Sequence, residues 1–431
     1  MKLEIERADF LKAWQTAEKY TPSKTTMEAL NGVRITAYEG IVTLEATDLK
    51  SSVKCSAKGA AILEPGVAVL NAAIFGSMLR KAEAPTLTLT IGDEKGSLNA
   101  GRSKSRFTVI PAETFPNIPE SSDAEDICEI MAQDLNRLIT EGSCAASAPS
   151  DFPKYLGTCM LRTSDGMILA VSTDGKRLAR SQMPCSLVNK QDDLILPSAA
   201  LKELAKSFSG DGSVKILADS STVWFRLEDG SEFSLRRIDA AFPKYEKILN
   251  DAVKTKMIVG KSALVSAIDR VDVMAKTNPA HIMAMVLNPG GELRITARAP
   301  ELGTISETLD AVIEGEQMHI GFNLSYFMDG VKSINSDSVL AEFSDYEGQT
   351  RMFKDEGRDF LYMLMPIRLS PQDIVNDDDA DDSRTGEYPP ETQQEESIQE
   401  QQEAPQESEA PQNNEEPHEF GEGNYDTESP F

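Results

Sequence analysis

Side chains suited to catalysis are sparse in this sequence: three histidines, five cysteines and a surplus of carboxylates among 431 residues. His281, His319 and His418 stand far apart and form no HExxH pair, so neither a zinc-activated water nor a histidine base has a local partner. Cys55, Cys128, Cys144, Cys159 and Cys185 are odd in number and include no CxxC. That argues against a disulfide framework and against a zinc cage, and leaves them as reduced structural thiols. No GxGxxG occurs, and GDGSVKI from residue 210 lacks the Lys followed by Ser or Thr that a phosphate loop needs. The carboxylates from 377 to 382 sit in a stretch almost without apolar residues and read as a solvated segment. Thr173-Asp174-Gly175-Lys176-Arg177-Leu178 resembles a small active-site loop, yet no acid, base or nucleophile motif accompanies it. It reads as a turn that opens a strand. A hydrolase or transferase with its site between domains is the rival these absences weigh against. The sequence therefore predicts no catalysis, no metal and no cofactor, and points to binding.

The elements that must position any binding residues recur along the chain. VAVLNAAIFGSMLRKA from 67, LILPSAALKELAKSF from 194 and IGFNLSYFMDGVKSI from 320 each read as a short strand running into a helix. Leu70, Leu196 and Phe322 align at steps of 126 residues, as do Thr47-Asp48 and Thr173-Asp174, while Phe115-Pro116 and Phe242-Pro243 are 127 apart. A repeat this long is a domain. The third copy lacks the Asp and the Phe-Pro, which suggests a specialised role there. Helical stripes at three-and-four spacing fall on Phe10, Trp14 and Ala17, on Leu135, Leu138 and Ile139, and on Leu264, Ile268 and Val271. Second helices follow from Ile74 with Met78, from Leu201 with Leu204 and Phe208, and from Leu324 with Phe327, Val331 and Ile334. Thr86 to Ile91 and Ile41 to Glu45 alternate with the period of strands. The predicted fold is α+β: three repeated domains, each of two helices on antiparallel sheets, over 1–122, 123–250 and 251–370.

Charge is distributed unevenly. The formal net charge is −27, but residues 371–431 hold 20 acids against Arg384 alone, which leaves 50 acids and 42 bases before them. A body near −8 excludes a groove saturated with phosphate contacts and still permits a basic face. No apolar run approaches membrane-span length and MKLEIERADF has no signal-peptide core, so a cytoplasmic protein is expected.

The chain resembles the beta subunit of bacterial DNA polymerase III, the sliding-clamp family, from Met1 to about Leu369. The residues that carry the resemblance are MKLEIERADFLKA, TDL at 47, GRSKSRF at 101 with FPN at 115, STDGKRLA at 172, AFPKY at 241, GFNLSY at 321 and MPIRL at 365. The resemblance implies a head-to-tail homodimeric ring around double-stranded DNA, with helices lining the hole and sheets outside. A topologically linked ring needs only weak, sequence-independent phosphate attraction, in keeping with the mild charge of the body. It also implies partners: the polymerase alpha subunit, the clamp loader and repair polymerases, all captured through a linear peptide.

Site residues carried over from the family are as follows. The peptide pocket takes Leu156, Thr173, Gly175, Arg177, Leu178, Pro243, Lys247, Ile248, Asn323, Tyr326, Met365, Pro366, Ile367 and Arg368. Lys247 stands for the usual arginine and Pro153 for a basic residue, which weakens the polar rim. Contacts to DNA fall on Lys24 first, then on Arg80, Lys81, Arg137, Lys202, Lys206, Lys276 and Lys332, with Lys12, Lys19 and Arg270 on the same helices. Glu18, Glu83, Glu203 and Asp329 are mixed among them, so an interaction scaffold that never loads on DNA is the second rival. Another DNA-touching loop would lie near Ser150. The dimer seam takes Phe107 and Val109 from the first domain, and Val273 and Met274 from the third.

The segment 371–431 departs from the family, whose members mostly stop near the Arg368-Leu369 position. Its Gln, Glu, Pro, Asp and Asn content cannot bury a core, and disorder is expected. It reads as a solubilising brush. Its last residues, GNYDTESPF, resemble the acidic tip of single-stranded-DNA-binding proteins, which suggests partner docking through Pro430 and Phe431.

Overall fold

The computed structural model describes residues 1–370 except 149–152, 187–192, 209, 250–251, 300–301, 345–349, 355–356 and 358, and leaves out the side chains of Lys247, Phe353 and Lys354. The loop near Ser150, the Lys247 side chain and the segment 371–431 therefore lie outside the described residues.

Among the described residues six α-helices form: α1 (Arg7–Glu18), α2 (Ala72–Lys81), α3 (Ala132–Gly142), α4 (Ser198–Ala205), α5 (Lys261–Ala275) and α6 (Leu324–Ser333). They pack as three pairs, α1 on α2, α3 on α4 and α5 on α6. The 126-residue period reaches atomic detail. Helices α2, α4 and α6 begin immediately after residues 71, 197 and 323. Asn71 and Asn323 cap the first and last of these, each side-chain oxygen accepting a backbone N–H, from Ile74 at 3.0 Å and from Tyr326 at 3.1 Å. The acidic turns repeat as well. Thr47 and Thr173 donate their hydroxyls to the carbonyls of Ser51 and Arg177, both at 2.7 Å, while Asp48 and Asp174 accept the backbone N–H groups of the residues that follow. The left-handed position of this turn is Leu49 (φ 71°) in the first copy and Gly175 (φ 82°) in the second. Leucine bears a conformational cost there of roughly 1–2 kcal/mol that glycine escapes.

The expected stripes on α1, α3, α5, α4 and α6 are buried. On α2 the outcome differs: Phe75 and Leu79 face the core, whereas Ile74 is 57% exposed and Met78 only partly covered. The apolar positions of α2 run around more of the helix than one stripe, and Trp14 and Phe10 pack on Phe75, which fixes its rotation.

The strands assemble into four antiparallel sheets of five, eight, nine and four strands. Two of them cross the domain limits expected from sequence. Ser51–Ala57 pairs with Glu232–Arg236, placing Val53 opposite Phe233, and Arg177–Pro184 pairs with Phe360–Leu364, placing Leu178 opposite Met363. Neighbouring repeats are thus joined by continuous backbone hydrogen bonding. The five-stranded sheet ends on the edge strand Ser103–Thr108, and the four-stranded sheet ends on Gly303–Asp310.

Candidate functional site

Where the Arg177–Pro184 and Phe360–Leu364 strands meet, their inner faces pack on helices and their outer faces need another cover. The connecting segment from Phe242 to Leu249 supplies it: Tyr245 is buried with Met160, Leu178, Leu361 and Met363 in a separate apolar cluster, with Phe242 and Leu249 against it. Between this segment and the chain leaving the last strand lies a depression of about 50 Å³. It is lined by Thr173, Gly175, Lys176, Arg177, Leu178, Ile248, Met363, Leu364 and Met365. Ile248 and Met365 are 39% and 49% exposed, an unusual exposure for large apolar side chains.

One wall is rigid. The Arg177 guanidinium donates to Asp174 (2.9 Å), Asp329 (2.6 Å) and the Tyr362 hydroxyl (3.1 Å), and lies 4.3 Å from the centre of the Tyr326 ring. Burial opposes its charge, but Tyr362, Asp329 and Asp174 outweigh burial and hold its pKa above the ordinary value. Burial also pushes the Tyr362 phenol up, and that hydroxyl donates to the Tyr326 carbonyl at 2.7 Å. The opposite wall is tied through backbone: Met365 N–H donates to the Lys176 carbonyl, and Ile367 N–H to the Gly321 carbonyl. A rigid polar wall facing a mobile thioether suits a site that opens for an apolar side chain, since the present volume is far below that of an ordinary ligand pocket, about 300–1,000 Å³.

Of the residues expected in a pocket, Thr173, Gly175, Arg177, Leu178, Ile248 and Met365 converge on this depression. Tyr326 joins them through the Arg177 stack, and Asn323 holds the start of α6. Leu156, Pro243, Pro366, Ile367 and Arg368 do not line the depression; Leu156 is half-buried in the short turn Lys154–Gly157, and Arg368 is exposed. Lys176, Met363 and Leu364, which line it, and Tyr245, packed beneath it, were missed. Met363 alternates with Met365 in FLYMLMPIRL, so its shared face was available from the sequence.

The basic residues separate into two groups. Lys24, Lys81, Lys276 and Lys332 are exposed and Lys202 half-buried, with no ion pair formed by any of them among the described residues. Arg80 pairs with Glu18, Lys206 with Glu203, and Arg137 with both Glu141 and Asp359. Arg270 makes a two-pronged contact to Glu307. Of the seam residues, Val273 is 54% exposed, Met274 and Phe107 are half-buried, and Val109 is in the core. Phe107 borders a groove of about 350 Å³ with Ile74, Met78 and Arg106. The outward turn of Ile74 on α2 helps to form that groove.

Comparison with known proteins decides the family. Models of the DNA polymerase III beta subunit match in order, the N-terminal domain over 1–119, the central domain over 129–244 and the C-terminal domain over 246–368. The chain belongs to the DNA polymerase III beta subunit family, the beta sliding clamps. The beta sliding clamp of Escherichia coli strain K12 is 25% identical over 371 residues, covering 86% of this chain and all of the relative. The crystal structure of the DNA polymerase III subunit beta from Pseudomonas aeruginosa is 25% identical, covers 86% of this chain and 100% of its own, and superposes with a TM-score of 0.80. The sliding clamp of Bacillus subtilis, 22% identical, shares the fold with a TM-score of 0.81 over the same share of this chain and all of its own. The three clamp domains and their α+β fold are those of this family. No helix among the described residues is long and apolar enough to cross a membrane.

Proposed function

We propose that this chain is a non-catalytic DNA sliding clamp that closes head to tail with a second copy around duplex DNA in the cytoplasm. In this reading the domains span 1–122, 123–250 and 251–370. The ring tethers the polymerase III alpha subunit, the clamp loader and repair polymerases through a peptide seated between Leu178 and Met365.

The observation that carries the closed ring is the pair of unpaired edges. Five strands end on Ser103–Thr108 and four end on Gly303–Asp310, and joined they would make nine, the size of the sheet that already spans the second and third domains. An exposed edge invites pairing, and closure removes it. A strict 126-residue step would carry the observed Val53↔Phe233 pair to Ile305 of one copy opposite Phe107 of the other, and Lys54↔Glu232 to Ser306 opposite Arg106, although the seam between the second and third domains, with Ala179 opposite Tyr362, departs from that step by three residues. Val273 and Met274 on α5 are then available to the groove of Phe107 and Ile74.

Retention by linkage is the test. Loaded on nicked circular DNA, the protein is expected to survive molar salt and to be lost when the circle is cut, because screening removes phosphate attraction and leaves topology untouched. Loss from intact circles in high salt, or a native mass of 47.1 kDa in place of its double, about 94 kDa, overturns the ring.

A further inference from the structure

Cys128 and Cys185, far apart in sequence, meet where two sheets touch. Cys128 belongs to the strand Glu125–Met131, an edge of the eight-stranded sheet, and Cys185 follows the strand Arg177–Pro184 of the nine-stranded sheet. An isolated antiparallel bridge joins them: Glu129 and Ser186 exchange both backbone hydrogen bonds, each at 2.9 Å. Side chains alternate along such a ladder, so Cys128 and Cys185, each one residue before the bridging pair, project to the same face as diagonal neighbours. That face is the core. Cys128 is buried in the apolar cluster of the first two domains, and the half-buried Cys185 packs against it. The Cys185 backbone is held as well, its N–H donating to the Gly166 carbonyl at 2.9 Å.

The Cys128 thiol donates a hydrogen bond to the Cys185 sulfur. That bond holds Cys185 below the ordinary thiol value in spite of partial burial, and it keeps Cys128, which is also buried, protonated. Burial alone pushes Cys55, Cys144 and Cys159 up to about 12, 11 and 12. Cys185 is therefore the thiol that is both partly accessible and inclined to ionise, and the thiolate is the reactive form. Behind it sits a second sulfur in contact. An accessible, readily ionised thiol with a resolving cysteine beside it is the arrangement on which reversible thiol oxidation depends.

We propose that Cys128 and Cys185 are a peroxide-responsive pair whose disulfide staples the eight-stranded sheet to the nine-stranded sheet. The Cys185 thiolate attacks one oxygen of hydrogen peroxide, the O–O bond breaks, and the departing hydroxide leaves as water with the thiol's proton, giving a sulfenic acid. The Cys128 sulfur then attacks the Cys185 sulfur: the S–S bond forms, the S–O bond breaks, and hydroxide leaves as water with the Cys128 proton. In sum two thiols lose two electrons and two protons, and one peroxide becomes two waters. Exchange with reducing thiols reverses the link. Leu178 lies seven residues before Cys185, about 23 Å along an extended strand, so the pocket wall is untouched and the inference stands apart from the peptide-site reading.

The reduced full chain is treated with hydrogen peroxide, quenched in denaturant with N-ethylmaleimide and read by mass spectrometry. Three alkylated cysteines in place of five are expected, with a peptide pair joined through Cys128 and Cys185 that dithiothreitol separates. Free Cys185 should disappear at least about tenfold faster than Cys55 or Cys159. In Cys128→Ser and Cys128→Ala, two variants whose fold is checked by circular dichroism, dimedone is expected to trap the sulfenic acid that accumulates on Cys185. The oxidised chain should need more urea to unfold than the reduced chain, and Cys185→Ser should show no such gain, because the link restricts the unfolded chain. Five alkylated cysteines after treatment, a link through Cys144 or between two chains, a dimedone adduct as abundant on Cys185 of the unaltered chain as in the variants, or equal urea midpoints before and after oxidation overturns the inference.

Discussion

Leu178 faces Met363 directly across the sheet, one from the second domain and the other from the third, and the pair forms the floor on which Met365 closes. In the corresponding seam between the first and second domains the facing residues are Ser52 and Ser234, whose hydroxyls lie 2.6 Å apart. Two hydroxyls satisfying each other make that seam polar, and the cavity beside it, about 740 Å³, is lined largely by polar and charged side chains such as Arg34, Glu45, Ser52, Lys54, Glu232 and Ser234, in contrast to the apolar floor of Leu178 and Met363.

Truncating Leu178 or Met365 to alanine is expected to weaken polymerase alpha-subunit binding by about 1–4 kcal/mol, the usual range for a buried anchor. Both variants should keep their dimer mass. Unchanged affinity in surface plasmon resonance places the partner site elsewhere.

A ring seam that keeps the strict 126-residue step predicts a disulfide. With Arg106→Cys and Ser306→Cys in one chain, facing β-carbons about 4.5–5.5 Å apart should oxidise to covalently closed rings, seen as cross-linked species on non-reducing gels. Moving the second cysteine by two residues, to Thr308, should lower the yield severalfold. Equal yields in both variants would show that the repeat does not set the seam.

The two groups of basic residues should behave differently. Lys24→Glu is expected to lower DNA affinity and to reduce the salt slope by about 1 without affecting unfolding. Arg137→Ala should instead destabilise the protein by about 1–3 kcal/mol in urea, because it deprives the buried Glu141 carboxylate of its guanidinium and leaves the Ser181 hydroxyl bond. An Arg137→Ala chain of unaltered stability and weakened DNA binding would assign Arg137 to DNA.

Burial pushes the Cys55 and Cys159 thiols up to about 12, so almost no thiolate exists at pH 8. Neither should react with Ellman's reagent until denaturant is added. Rapid labelling of either in the native protein, located by mass spectrometry, would show local opening of the sheet that covers it.

The sequence by itself determined the repeat, the α+β class and the absence of a local catalytic motif, because these depend on periodicity and on spacing along the chain. The helix starts after 71, 197 and 323 and the Thr-Asp turns at 47 and 173 follow from local hydrogen bonding, which neighbouring residues specify. The convergence of Thr173 and Met365 on one depression was to be expected only through family resemblance, since no local rule links such distant positions. Only the tertiary structure decided which sheets cross domain limits, because strand pairing is a long-range choice that many alternating segments could satisfy. It also decided that Phe75 rather than Ile74 enters the core, and that Arg137 is tied to Asp359 while Lys176 forms no ion pair among the described residues. Those outcomes depend on which side chains arrive from elsewhere in the fold, and charge or hydrophobicity at a single position does not encode its partner.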